Sequence, residues 1–216
     1  MSEAKLAPAM ECDRCNTPAT EALQRALRLA QIALAFGRVG RATRHEDGAR
    51  VETDTDHTVM LGLVACELAP SGLDRTKIAA FALVHDLAEV YAGDTQTLTI
   101  TPAGMAAKHA REDAARTRLA GELGEGSWIA QTLAVYEAQR EPEARFVRAM
   151  DKVLPKLTHA FNGCVAAWVL TDRAGFIEAH ARQYRKLSEE YPEFPEVLEL
   201  LRLSMLHAEA RWPVTP

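Results

Sequence analysis

Apolar positions recur at helical spacing along most of this chain. Between Ala22 and Phe36, the residues Leu23, Ala26, Leu27, Ala30 and Leu34 share one face and predict a first helix. The stretch 38–54 is polar, rich in Arg, Gly and Asp, and reads as a loop. A second helix is predicted from Asp54 to Leu68, capped by Asp54 or Thr55 and ended by Pro70-Ser71-Gly72. A third runs from its N-cap Asp74 to Tyr91, and Gly93 closes it. The Thr-rich segment 94–103, with Pro102, reads as a loop. Further helices are predicted at 103–122, 126–139, 142–162, 172–190 and 195–210, punctuated by Gly121, Gly124 and Gly126 and by Pro192 and Pro195. Residues 1–17 carry little periodicity and read as a flexible N-terminal segment, which leaves 18–211 as one domain.

Composition supports an all-α, single-domain bundle. The chain has 216 residues, of which 48% are hydrophobic. Its 38 Ala and 24 Leu outnumber 13 Val and 5 Ile, so helix formers dominate over β-branched residues. The net charge of −5 removes a global basic footprint and argues against nucleic acid as partner. No apolar run approaches the ~18 residues of a membrane span. The first residues, with Glu3, Lys5 and Glu11, lack the apolar core of a signal peptide. Four cysteines are too few for a disulfide scaffold, so a reducing cytoplasm is the expected location. Cys12 and Cys15 make half a zinc site with no second pair, and Cys66 and Cys164 read as core residues. No phosphate-binding Gly-rich loop is present.

The informative positions are polar groups on apolar faces. Met60, Leu61, Val64 and Leu68 follow His57 at three, four, seven and eleven residues, so His57 sits on the buried stripe. His85 follows Ile78, Phe81 and Ala82 on one face, with Asp86 beside it and Glu89 one turn on. Asp151 borders the stripe of Phe146, Met150, Val153, Leu154, Leu157 and Phe161, and Pro155 predicts a kink there. A lone histidine on an apolar face is ordinarily a hydrogen-bonded core residue. Asp151 alone could cap a helix or pair with Arg148, and His159, His180 and His207 need only surface or capping roles. Trp128 and Trp168 read as core or interface. Three helices presenting such groups to a common interior are harder to explain as structure, because burying a charge without a partner is costly. A shared metal ion resolves the cost. Two imidazoles and two carboxylates suit one divalent ion such as Mn²⁺, Co²⁺, Fe²⁺, Zn²⁺ or Mg²⁺.

The order His57, His85-Asp86, Asp151 resembles the H…HD…D signature of the HD-domain metal-dependent phosphohydrolases. The string from His85 to Thr95, with Glu89 and Gly93-Asp94, resembles the HDxxE…GD segment of the 5′-deoxynucleotidase-like branch, and the pair Asp56-His57 resembles the D/E-H pair of that branch. The resemblance covers about residues 20–165 and leaves the C-terminal helices 172–210 beyond it. It implies that His57, His85, Asp86 and Asp151 hold the metal. It implies that Glu89 handles the attacking water or the leaving group, and that Asp94 is a second carboxylate near the sugar and phosphate. An Arg upstream of the first ligand usually binds phosphate in this branch. Arg41 and Arg44 both qualify, and Arg44 is preferred; His45 stands where the branch often has Trp. Only His109 lies between the HD pair and Asp151, which favours one metal.

The expected function is therefore hydrolysis of a nucleotide phosphate ester, first of all a 5′-(deoxy)nucleoside monophosphate. The alternatives are a (d)NTP triphosphohydrolase on the same site and a non-catalytic, metal-stabilised helical module. Arg41, Arg44 and Arg50 make a local basic stretch in an acidic chain, which suits a small anionic substrate. The branch is commonly dimeric, and the apolar helix 195–210 could pack on a second subunit or on the core.

Overall fold

The computed structural model describes residues 18–124 and 126–213; the segment 1–17, with Cys12 and Cys15, lies outside the described residues. The chain is helical with one small hairpin. The order is α1 (Pro18–Phe36), β1 (Gly40–Arg44), β2 (Val51–Thr53), α2 (Asp54–Glu67), α3 (Arg75–Val84), α4 (Glu89–Ala92), α5 (Pro102–Leu123), α6 (Trp128–Ala138), α7 (Pro142–Asp151), α8 (Leu154–Asn162), α9 (Val165–Trp168), α10 (Arg173–Glu190) and α11 (Pro195–Ala210). Helices α2, α3 and α7 pack on one another, and α8 packs on α11. Their shared core holds Leu61, Ile78, Phe146, Met150, Val153, Leu154 and Leu201.

The expected helices form, with four differences that matter to the site. The stretch read as a loop before residue 54 is an antiparallel hairpin, with Gly40 opposite Thr53 and Arg44 opposite Val51. Asp47 makes its turn by accepting hydrogen bonds from the amides of Ala49 and Arg50. Helix α2 is capped by Thr53, not by Asp54 or Thr55. The Thr53 hydroxyl accepts from the Asp56 amide while the Asp56 carboxylate accepts from the Thr53 amide, a capping box. Asp54 is thereby freed to turn into the interior, where it is fully buried.

The predicted third helix is two pieces. Helix α3 ends at Val84, and residues 85–88 form a tight turn whose bonds run from the Leu87 amide to the Val84 carbonyl and from the Glu89 amide to the Asp86 carbonyl. Such three-residue spacing eclipses side chains i and i+3, so Asp86 and Glu89 point the same way. The helix predicted over 142–162 also breaks, at Lys152 and Val153, with Pro155 in the first turn of α8.

Some face assignments change. Leu23, Leu27 and Leu34 of α1 are more than half exposed, and the core contact is made by Ile32, Ala35 and Phe36. The two stripes are alternatives on one Ala-rich helix, and periodicity alone does not say which is inward. Trp128, Trp168 and Phe161 are exposed, whereas His159 and His180 are buried. Cys164 is buried as expected, and Cys66 is half-buried against the core. In α11, Val197, Leu201 and Met205 face the core, leaving Leu203 and Leu206 exposed.

Candidate metal centre

Four side chains converge where α2, the 85–88 turn and the end of α7 meet. One ligand atom from each of His57, His85, Asp86 and Asp151 lies within 4.8 Å of the others. His57 comes from the first turn of α2, fully buried. Its Nε2 lies 2.9 Å from Asp151 Oδ1. His85 is the C-cap of α3. Asp151 is the last residue of α7.

His85 carries the chemical argument for a cation. Its Nδ1 lies 2.8 Å from the Ala82 carbonyl oxygen, which can only accept, so Nδ1 holds the proton. Nε2 is then the ring atom that a metal ion would take. That atom has no hydrogen-bond partner, yet it faces Asp86 Oδ2 at 3.0 Å and Asp151 Oδ1 at 3.9 Å. An imidazole nitrogen and two carboxylate oxygens converging on one point make a donor set that a cation would fill. The donor set of two imidazoles and two carboxylates fits a divalent ion of the first transition row.

The surroundings restrain each ligand. Lys152 Nζ donates to Asp151 Oδ2 at 2.6 Å, which leaves Oδ1 toward the histidines. Burial would raise the Asp151 carboxyl, but Lys152, His57 and His85 together hold it well below the usual carboxylate range. Asp86 is likewise held low, by His85 and Arg41 against the effect of burial. Burial and Arg41 oppose the charged form of His57, but its contacts with Asp151 and Glu52 outweigh them and lift it to about 9. Arg148, considered as a partner of Asp151, instead bonds Glu137 at 3.0 Å and lies over the Tyr136 ring.

Carboxylates crowd the neighbouring space. Oxygens of Asp54, Asp86 and Glu89 also lie within 4.8 Å of one another. Arg41 Nη1 bridges this group, at 2.9 Å from both Asp54 Oδ1 and Asp86 Oδ2. Glu89 has a buried oxygen without a partner. Burial first, then the charges of Asp86, Asp54 and Asp94, push its carboxyl up to about 10. Asp54 is raised to about 6 by burial and by Asp86, despite Arg41. Asp94 Oδ2 accepts from the Ala42 amide at 3.0 Å and so ties the α4–α5 loop to strand β1.

Arg41 and Arg44 both line one cavity of about 420 Å³, with Ala42, Gln96 and the aliphatic wall Val165, Val169 and Leu170. Arg41 is at its inner end, already engaged with Asp54 and Asp86. Among the described residues Arg44 donates only to the Ala49 carbonyl, at 3.0 Å, and it stands nearer the solvent. His45 turns away, with its ring between Asp56 and Arg50.

Sequence reasoning missed Glu52, Asp54 and Lys152. The first two were hidden in a polar run taken for a loop. Their signal is the alternation Val51-Glu52-Thr53-Asp54, which in a strand leading into a helix places both acids on the inward side. Lys152 follows Asp151 directly, and nothing in helical spacing marks such a neighbour.

A family model described as HD domain matches residues 37–194. The chain belongs to the HD-domain family, the class of metal-dependent phosphohydrolases to which the H…HD…D order pointed. Among characterised relatives, it is 33% identical over 107 residues to 5′-deoxynucleotidase HDDC2 of Danio rerio, covering 47% of this chain and 51% of the relative. It is 30% identical over 105 residues to the Homo sapiens protein of the same name, covering 48% and 50%. The chain thus spans about half the length of the curated relatives it matches. A crystal structure of a predicted metal-dependent phosphohydrolase from Magnetospirillum magnetotacticum MS-1 shares the fold. It aligns with a TM-score of 0.68 at 23% identity, over 88% of this chain and 98% of that one.

Proposed function

We propose that this protein hydrolyses the phosphate ester of a nucleotide, foremost a 5′-(deoxy)nucleoside monophosphate, using one divalent ion held by His57, His85, Asp86 and Asp151. The observation that carries this reading is the unpartnered His85 Nε2 facing two carboxylate oxygens beside an arginine-lined cavity. A divalent ion bound there would activate water and neutralise phosphoryl charge. The remaining tasks fall to side chains. Arg44, with Arg41 behind it, clamps the phosphate. The aliphatic wall of Val165, Val169 and Leu170 receives the less polar part of the nucleotide. Glu89, buried beside Asp54 and Asp86, is placed to exchange a proton with the attacking water or the leaving oxygen. Asp94 holds the cavity rim by its bond to strand β1 and offers its other oxygen toward the sugar. The relatives named as 5′-deoxynucleotidases support the monophosphate as first substrate.

The test is metal analysis of purified protein together with phosphate release from a panel of dNMPs and dNTPs. Orthophosphate from dNMPs is expected. Tripolyphosphate from dNTPs would identify a triphosphohydrolase on the same site, and metal without turnover a binding module. Asp86→Ala should lose both metal and activity. Glu89→Gln should keep the metal and lose turnover by roughly 10²–10⁴-fold. Full activity in Glu89→Gln would refute its role.

A further inference from the structure

Glu52 is the middle residue of strand β2, and its side chain is 4% exposed. Neither carboxylate oxygen has a hydrogen-bond partner among the described residues. Such burial is costly, and an apolar residue would suit the position better on packing alone. The polar atom facing it is on a metal-centre histidine: His57 Nδ1 lies 3.3 Å from Glu52 Oε1. The Arg41 guanidinium stands further off, at 4.0 Å. His57 Nδ1, too, has no hydrogen-bond partner among the described residues.

The two histidines of the centre invite comparison. A ligating imidazole is fixed by what its second ring nitrogen donates to, since that contact sets both tautomer and ring orientation. His85 has the Ala82 carbonyl for this purpose. His57 opens a helix, and none of its described Nδ1 contacts is to a backbone carbonyl. Glu52 reaches the ring from the strand instead. The capping box of Thr53 and Asp56 holds the corner between the strand and the helix, so the reach from residue 52 to residue 57 is rigid.

We propose that Glu52 is the positioning residue of His57: its Oε1 accepts the Nδ1 proton and so keeps Nε2 available and aimed at the metal. This rests on the metal-centre reading above. A carboxylate in this place also adds negative charge behind the imidazole, which strengthens its donation to a cation.

The experiment compares Glu52→Gln with Glu52→Met, side chains of matched length that differ in having an acceptor oxygen. Metal-stripped protein is titrated with Co²⁺ by calorimetry, and the visible cobalt spectrum is recorded at saturation. Glu52→Met should weaken Co²⁺ binding about 10–100-fold and perturb the cobalt spectrum. Glu52→Gln should stay closer to the parent than to Glu52→Met. A space-filling role would leave both variants binding like the parent, and that result overturns the proposal. So does an equal loss in Gln and Met, which removes the acceptor contact as the cause. His57→Ala is run alongside. If it keeps parental Co²⁺ affinity, the metal-centre reading itself fails. If it loses the metal while Glu52→Met does not, only the assignment of Glu52 falls.

Discussion

At the scale of single residues, the two arginines of the cavity should behave differently although both line it. Among the described residues Arg44 is engaged only with a backbone carbonyl, and it can turn to a phosphate at little cost. Arg44→Ala should raise KM for a nucleotide about 10–100-fold, the worth of a charge-assisted hydrogen bond, with kcat little changed. Arg41 neutralises Asp54 and Asp86. Arg41→Ala should instead lower kcat and weaken metal binding, because two buried carboxylates lose their shared cation. Steady-state kinetics with separate KM and kcat decide this, and equal KM effects in both variants would sink the division of labour. That His57, His85, Asp86 and Asp151 come together was legible in the sequence because they interrupt or border apolar stripes. Glu52 and Asp54 were not, because a charged residue in a polar run carries no contrast. Asp56, half of the Asp56-His57 pair that carries the resemblance, closes a capping box, a role that its place beside His57 does not reveal.

At the scale of elements, the corner between β2 and α2 carries much of the site, since Glu52, Asp54 and His57 all hang from it. Thr53→Ala removes the cap of α2 and should cost about 1 kcal/mol. For a chain of this size that is a fall in melting temperature of roughly 2–4 °C, read by thermal denaturation. A change below one degree would mean that the cap is dispensable. Helices were readable because apolar residues at three and four positions repeat over several turns. The hairpin was not, since its strands have five and three residues and are only half-buried. The break at 85–88 was also hidden. A tight turn continues the apolar stripe of α3 past Val84 while altering the spacing that brings Glu89 over Asp86.

At the scale of the molecule, acid should act through histidines far from the metal centre. His159 and His180 are buried around Phe176, between α8, α10 and α11. Burial, with Lys156 nearby, drives them down to about 3 and about 2. In the unfolded chain each titrates near 6.5. Between those values the unfolded chain binds protons that the folded chain does not. Their stabilising share is therefore complete above about pH 6.5 and is lost as pH falls, by about 1.4 kcal/mol per unit for each ring. The raised Glu89 works in the opposite sense above about pH 4.3, where its unfolded carboxyl has lost its proton. A comparison isolates the histidine share. The stability gap between parent and His159→Gln should shrink by about 1.4 kcal/mol per unit from pH 6.5 to 4.5. A constant gap, measured by urea unfolding, would show that His159 titrates normally in the folded chain. Among the described residues no helix is long and apolar enough to cross a membrane.

The ammonium of Lys152 on Asp151 Oδ2 has a consequence for which ion the centre selects. An oxygen already committed to a lysine is a poor second arm of a chelate, so Asp151 would bind an ion through a single oxygen. Large ions such as Ca²⁺ gather six to eight oxygens and favour two-armed carboxylates, whereas smaller ions accept fewer, single-armed ligands and welcome imidazole. A half-buried lysine at the back of that carboxylate would thus tilt the centre away from Ca²⁺.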